Sequence, residues 1–440
     1  MAVSTTQPEV PQQRPPASRL RTLARTMGTA LGRPVISVIL AFITGAIVIL
    51  ITRPDKTVDP FTNVFNAYTT LFIGSYGSFS NMSDTLVIVT PLIFAGLSVA
   101  IAFRAGLFNI GAAGQLAVGA MTADMIGLTY RSWPGWILIP TMLLASMLAG
   151  AIWGGIVGFL KAWRGAHEVV TTIMLNWIAF YGTDYLINSP PFTAPFGVTQ
   201  TLSLLPNATL LPIADVYNQL FGNFLPPLDT FVYKVDVSLF FALIAVVIYW
   251  FIISRTTFGY EIRVIGQNPK AARYAGIPIK RNIFLVMAIA GAFAGLAGST
   301  HLMGQPDYRL TATAFSSDPT GFDAIAVALL GNTTAIGILL ASLFLGGLRS
   351  GSTAMQSIAH VDPNLVLIIE ALVLFFIAAE FLPVLQRNMP AWLRSPLRRP
   401  ALVPPPTIGK ASVDLPENGT QESSDAHNGV EISNLDNKED

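Results

Sequence analysis

Apolar residues gather along the chain in blocks divided by short polar stretches. The blocks fall at about 35–52, 84–103, 108–129, 136–160, 168–188, 237–254, 283–303, 321–331, 335–349 and 364–386. Several reach the roughly 18 residues that let a helix cross a bilayer. The pattern predicts an all-α polytopic membrane protein with about ten transmembrane segments.

Lys and Arg in the short connections set the expected orientation. Residues 1–33 are rich in Pro, Gln and Arg, which predicts a disordered basic tail on the cytoplasmic side. Arg104, Lys161, Arg164 and the charged stretch 255–282 fall on the same side. The 189–236 loop has one Lys and no Arg over 48 residues, so it reads as external. Arg387, Arg394, Arg398 and Arg399 belong inside. That requires 321–349 to go in and come back, turning near "LLGNTTAIG". Its first leg has only eleven residues, about 16 Å of helix. Such a leg is short or re-entrant, needs protein or water around its open end, and pairs with a second short leg at 335–349. Both termini are then cytoplasmic. The membrane domain covers 34–388, and 389–440 forms a disordered, acidic tail.

Composition narrows the function classes. The chain is 52% hydrophobic and 12% charged, against about 25% charged for a soluble domain. A net charge of +1 gives no basic field for nucleic acid. Cysteine is absent, and the four histidines (His167, His301, His360, His427) lack metal-ligand spacing, so no metal site is expected. No G-x-x-x-x-G-K-[ST], G-x-S-x-G or H-E-x-x-H motif occurs. Neither ATP hydrolysis nor any other catalysis is therefore expected in this chain, and no catalytic residue is assigned.

Polar residues at membrane depth face protein or water. "GLFNIGAAGQLAVGA" (106–120) places Asn109 and Gln115 among four glycines. It reads as a broken helix lining a path, or as a straight helix with two buried amides. In "HEVVTTIMLNWIAFY" (167–181), Thr172 and Asn176 share a helical face with Trp177 nearby, which suits a flat polar ring if Trp177 does not face lipid. Asp323 lies on the inward leg of the hairpin and Asn332 at its turn. Asp323 stands alone at its depth, which argues against a proton relay. Asn109, Gln115, Thr172, Asn176, Trp177, Asp323 and Asn332 are the candidate path residues. "GGIVG" (154–158) and "GAFAG" (291–295) are spacings that let helix backbones touch, within the chain or between copies.

The stretch "GYEIRVIGQNPKAARYAGIPIKRN" (259–282) has its own punctuation. Asn268 is a good N-cap, Pro269 fits the first helical position, and Gly276 fits a left-handed stop. The helix between them has about two turns, too few to stand alone. It must dock. Ala271, Ala272 and Ala275 offer a close-approach face framed by Lys270 and Arg273, and Gly259 and Gly266 supply bends before it.

Four stretches, "GLFNIGAAGQ", "HEVVTTIMLNWIA", "IRVIGQNPKAARYAGI" and "DAIAVALLGN" followed by "GGLRSG", resemble the permease subunits of ABC importers for nucleosides and simple sugars. The likeness spans 85–385. It implies a multi-pass permease of the bacterial plasma (inner) membrane, with 255–282 as the coupling loop. Asn268, Pro269, Lys270, Ala271, Ala272, Arg273 and Gly276 would form the coupling helix, supported by Glu261, Arg263 and Gly266. The implied partners are an ABC ATPase subunit carrying ATP and Mg, a second permease (related or identical), and an extracytoplasmic substrate-binding protein that lands on the 189–236 loop. Three positions depart from the pattern: Ala113 replaces Glu, His167 replaces Asn, and Ala335 replaces Pro after "GN", which points to a looser hairpin turn. The rival readings are a ribose-type sugar permease and an ion-coupled secondary transporter.

Overall fold

The computed structural model describes residues 19–52, 56–194, 198–222, 224–305 and 307–378, with side chains from residue 34 onward. The C-terminal tail and the arginines beyond 378 lie outside the described residues. In order, the helices are α1 (Arg19–Thr52), α2 (Pro60–Tyr76), α3 (Phe79–Arg104), α4 (Ala112–Thr129), α5 (Gly135–Phe159), α6 (Glu168–Ile187), α7 (Ile213–Phe221), α8 (Ser238–Arg255), α9 (Thr257–Gln267), α10 (Pro269–Tyr274), α11 (Ile279–Gly304), α12 (Ala314–Ser317), α13 (Thr320–Leu330), α14 (Ala335–Ala359) and α15 (Asn364–Ala378). Among the described residues the only β-pairings are isolated bridges, such as Thr193 with Thr201. Six helices, α1, α3, α5, α8, α11 and α14, are long and apolar enough to cross a membrane.

Glycines set the centre of the bundle. The two Gly-x-x-x-Gly runs face each other inside one chain. A methyl group added at Gly154 would lie 3.1 Å from the Gly291 Cα, and one at Gly295 would lie 3.3 Å from the Gly150 Cα. Gly119 of α4 joins the seam against the Gly295 backbone. Backbones this close gain dispersion contacts that lipid cannot match, and this is how apolar helices associate in a bilayer. Here, the motifs serve intrachain packing.

The helix–turn–helix at 320–359 turns within the expected "LLGNTTAIG" stretch, with differences in length and tightness. α13 has the expected eleven residues. α14 has 25, not the fifteen of a short second leg, because "RSGSTAMQSIA" continues the helix with small residues. The turn is tight, not loosened by Ala335. The Thr334 hydroxyl donates to the Gly331 carbonyl at 2.9 Å and accepts from the Gly337 N–H at 3.1 Å. Asn332 and Thr333 both have positive φ, 48° and 51°.

Three further differences concern the N-terminal half and the charged stretch. Residues 19–33, expected to be disordered, extend α1 as helix. Leu, Ala, Arg and Met in that run are strong helix formers, and the polar reading missed this. α2 was not expected, because Asn63, Asn66, Thr69 and Thr70 dilute its hydropathy. Asp59, which caps Phe61 N–H at 3.0 Å, and Pro60 at the first position were the available signals. Finally, Gly259 and Gly266 lie within α9 rather than at bends. The break comes earlier, at Thr256, whose extended backbone ends α8 and whose hydroxyl caps Gly259.

Candidate functional sites

α9 and α10 follow one another at one end of the bundle, separated at Asn268, whose backbone is extended. α9 buries Gly259, Ile262 and Ile265 and leaves Tyr260 exposed. The Asn268 side chain then accepts from Lys270 N–H at 3.0 Å and Ala271 N–H at 3.1 Å, starting α10. Gly276 stops it at φ 75°, with Ile277 N–H returning to the Ala272 carbonyl at 3.0 Å. Glu261 accepts from Asn282 at 2.6 Å, tying α9 to the first turn of α11 across the loop. The expected alanine face divides in two. Ala272 is fully buried against its own chain, while Lys270, Ala271, Arg273 and Ala275 point outward. The unforeseen member is Tyr274, which is 93% exposed. Arg263 is half-buried on α9, and Pro269 is exposed at the first position of α10. Gly266 packs under the α3–α4 connection, where a methyl added at Gly106 would lie 3.2 Å from its Cα.

The candidate path residues do not converge on one cavity. Asn109 and Gln115 bond each other reciprocally at 3.0 and 3.1 Å, and Asn109 also donates to the Ser98 hydroxyl. Residues 105–111 are the connection between α3 and α4 rather than a break within a helix, α4 runs unbroken from Ala112, and Asn176 clamps the connection. Its amide oxygen accepts from Gly114 N–H at 2.9 Å and its NH2 donates to the Ile110 carbonyl at 3.0 Å. Thr172 packs on Gly111 and returns its hydroxyl to its own helix. These groups are occupied within the chain. Asn176→Ala strips one donor and one acceptor of their partners, a loss of about 1–3 kcal/mol. Thermal unfolding of the purified variant in detergent should show the drop, and an unchanged midpoint would mean that the clamp carries no stability.

Trp177 lies on the outer face of α6, 48% exposed, stacked on Tyr181 with ring centroids 5.8 Å apart. Tyr181 and Tyr185 continue the stripe at 68% and 73% exposure. Tyrosine hydroxyls inside a membrane segment favour water or protein over lipid tails. Asn332 sits exposed at the hairpin tip, where its positive φ explains its residue type. Ala113 packs against Gly321 of α13 so closely that a methyl added at Gly321 would clash with it.

Asp323 is not alone. Arg349 of α14, inside the "GGLRSG" stretch, contacts Asp323 at 3.3 Å, Asp318 at 3.2 Å and the Thr320 hydroxyl at 2.9 Å. Glu370 of α15 is 4% exposed, lies within electrostatic reach of Arg349 and Asp323, and accepts no hydrogen bond. His301 stands 3.5 Å from Asp318. Burial pushes the Asp318 carboxyl up, but His301 and Arg349 outweigh it and hold it below the usual carboxylate range. The cluster borders a cavity of about 380 Å³ at the end of the bundle opposite α10. Sequence spacing hid it, because its members come from α11, the loop before α13, α14 and α15. Among the described residues, no group of three or more His, Asp or Glu is placed to hold a metal ion.

The family profile described as "Branched-chain amino acid transport system / permease component" matches residues 81–378. The guanosine ABC transporter permease protein NupP of Bacillus subtilis is 37% identical over 350 residues, which covers 79% of this chain and 93% of that protein. The nucleoside ABC transporter permease protein NupB of Lactococcus lactis is 35% identical over 350 residues, covering 79% and 91%. The glucose ABC transporter permease protein TsgB13 of Haloferax volcanii is 34% identical over 354 residues, covering 80% and 88%. No solved structure matches.

Proposed function

Because the chain belongs to the branched-chain amino acid transport system / permease component family, we propose that it is the membrane subunit of an ATP-driven importer that carries nucleosides across the plasma membrane. ATP and Mg bind a partner ATPase, which seats on α10 at the cytoplasmic end. The permease has about ten membrane segments, counting α4, α6, the short α13 and α15 besides the six long helices, and both termini are cytoplasmic. A second permease, related or identical, covers the Trp177–Tyr181–Tyr185 face of α6, where aromatic rings suit a passing nucleobase. An extracytoplasmic binding protein lands on the 189–236 side, where Phe224 and Phe231 are 86% and 88% exposed.

The observation that carries this reading is α10 itself. It is a six-residue helix capped at both ends, seated on its own chain through Ala272, with an almost fully exposed tyrosine facing outward. Six residues are too few to hold such a helix without tertiary support, and Tyr is enriched among interface anchors.

Reconstitution with the ATPase, the second permease and the binding protein should give guanosine uptake that requires ATP on the α10 side. A glucose permease is the second reading, favoured by the similarity to the Haloferax protein. Uptake of glucose in preference to guanosine would establish it. Guanosine uptake by the chain alone under an ion gradient, without ATP, would overturn the ATP-driven reading.

A further inference from the structure

α8 packs on α3 and α14 and stands off from α11. The space left between them is a groove of about 330 Å³, lined by α8, α11, α5 and the buried Phe94 of α3. Transport as proposed above gives it no task.

The lining excludes a polar solute. Thr300 is the only polar side chain on it, and its hydroxyl donates to the Leu296 and Ala297 carbonyls of its own helix at 2.9 and 3.1 Å. The side chains offer a nucleoside no free donor. The girth of the groove excludes a helix. It runs from Phe241 to Ile252 along α8 and from Thr300 back to Ile289 along α11, eleven residues on each. That is a length of about 16 Å. The volume spread over that length leaves a section of about 20 Å². A helix with its side chains is about 10–12 Å across and does not fit. A single hydrocarbon chain does, and lipid surrounds this part of the molecule.

Charge names the lipid. The Phe241 end of the groove adjoins the 189–236 loop, which has three Asp and one Lys. The Ile252 end adjoins the stretch 255–282, which has six Lys and Arg and one acid. That acid, Glu261, is bonded to Asn282. Arg255 lies one turn beyond Ile252 on the same face of α8. It is exposed, its guanidinium stands 5.5 Å from the Trp250 ring centre, and among the described residues no carboxylate pairs with it. Trp163, Trp250 and Tyr260 are all exposed at this end, as side chains at a membrane–water boundary are. A negative head group is therefore attracted to the Ile252 end and repelled from the other.

We propose that the groove is a binding site for an anionic phospholipid, one acyl chain lying between α8 and α11 and the phosphate meeting Arg255. Thr256 alone separates α8 from α9, so the head group sits at the junction that leads into α10.

The test uses phosphatidylglycerol carrying a photoreactive diazirine midway along one acyl chain, with the full-length permease in nanodiscs, alone and in the complete complex. Crosslinked peptides are mapped by mass spectrometry. Label should concentrate on α8 and α11 in both samples. Unlabelled phosphatidylglycerol should compete about fivefold or more better than phosphatidylcholine, and Arg255→Gln should reduce that preference about fivefold, the contribution of one basic residue near an anionic surface. Ala292→Trp fills the groove and should abolish label on α8, while label on other lipid-facing helices and the size-exclusion profile report that the variant still folds. Label spread evenly over the lipid-facing helices, equal competition by the two lipids, or unchanged α8 label in Ala292→Trp overturns the site. Label on α8 and α11 that vanishes in the complete complex gives the groove to the second permease and overturns it too. The transport reading survives each of these results, since guanosine uptake tests it separately.

Discussion

Gly291→Leu yields a permease that fails to assemble its central helices. A side chain at this position runs into the Gly150 carbonyl on α5, and its first carbon would already lie 3.2 Å from the Gly154 Cα. These are backbone atoms and cannot rotate away. α5 and α11 must separate along the whole seam, which also carries Gly119 and Gly295. Overpacking costs about 1–3 kcal/mol where side chains can yield, so a backbone clash across the middle of two long helices belongs above that range. Size-exclusion chromatography in detergent should show loss of the monodisperse peak. Gly182→Ala is the matched control. Nothing lies within 4 Å of the added carbon, and Ala is the better helix former by about 1 kcal/mol. A folded Gly291→Leu protein, or an unfolded Gly182→Ala one, would contradict the seam.

On the proposed docking at α10, Tyr274→Asp should sever the permease from the ATPase without disturbing the membrane domain. The ring makes few contacts within the chain, being 93% exposed, so its loss spares the fold. An aromatic anchor at the centre of an interface contributes 2 kcal/mol or more, about 30-fold in affinity. Co-purification of the ATPase should fall accordingly, and binding-protein-stimulated ATP hydrolysis should fall with it. Ala272→Asp, the substitution that the alanine pattern singles out, is a poorer probe. Ala272 is buried, so a carboxylate there lifts α10 off its own chain. Full retention of the ATPase by Tyr274→Asp would place the docking surface elsewhere.

The caps of α10 were readable because capping is a local matter. Asn, Pro and Gly at 268, 269 and 276 each act on the nearest backbone groups. The short first leg was readable because its apolar run ends at "GNTT", polar and turn-forming residues that stop a helix locally. α2 escaped because the burial of a polar residue such as Ser75 depends on a partner far along the chain. Ser75 donates to the Gly347 carbonyl at 2.5 Å. The Arg349 cluster escaped for the same reason. Asp323 looked solitary because its partner lies 26 residues away on a returning helix. Asn109, Gln115 and Asn176 were rightly picked out as unusual, but a buried amide that finds its partner inside the chain leaves the same trace in a sequence as one that awaits a solute.

The tip of the hairpin has a mechanical consequence. The Thr333 carbonyl accepts from Arg104 of α3 at 2.9 Å and from Tyr249 of α8 at 2.8 Å. Gly266 of α9 presses on the Arg104 carbonyl. At its other end, α13 is fastened to Arg349 through Thr320 and Asp323. α13 is therefore a strut about 16 Å long, pinned at both ends and stiff along its axis. A thrust delivered at α9 has a continuous load path through it to the wall of the cavity. Its shortness makes it effective: a full-length crossing helix would carry the same load out to solvent, whereas this one ends at the cavity wall, where Pro319 and Thr320 stand beside Arg349.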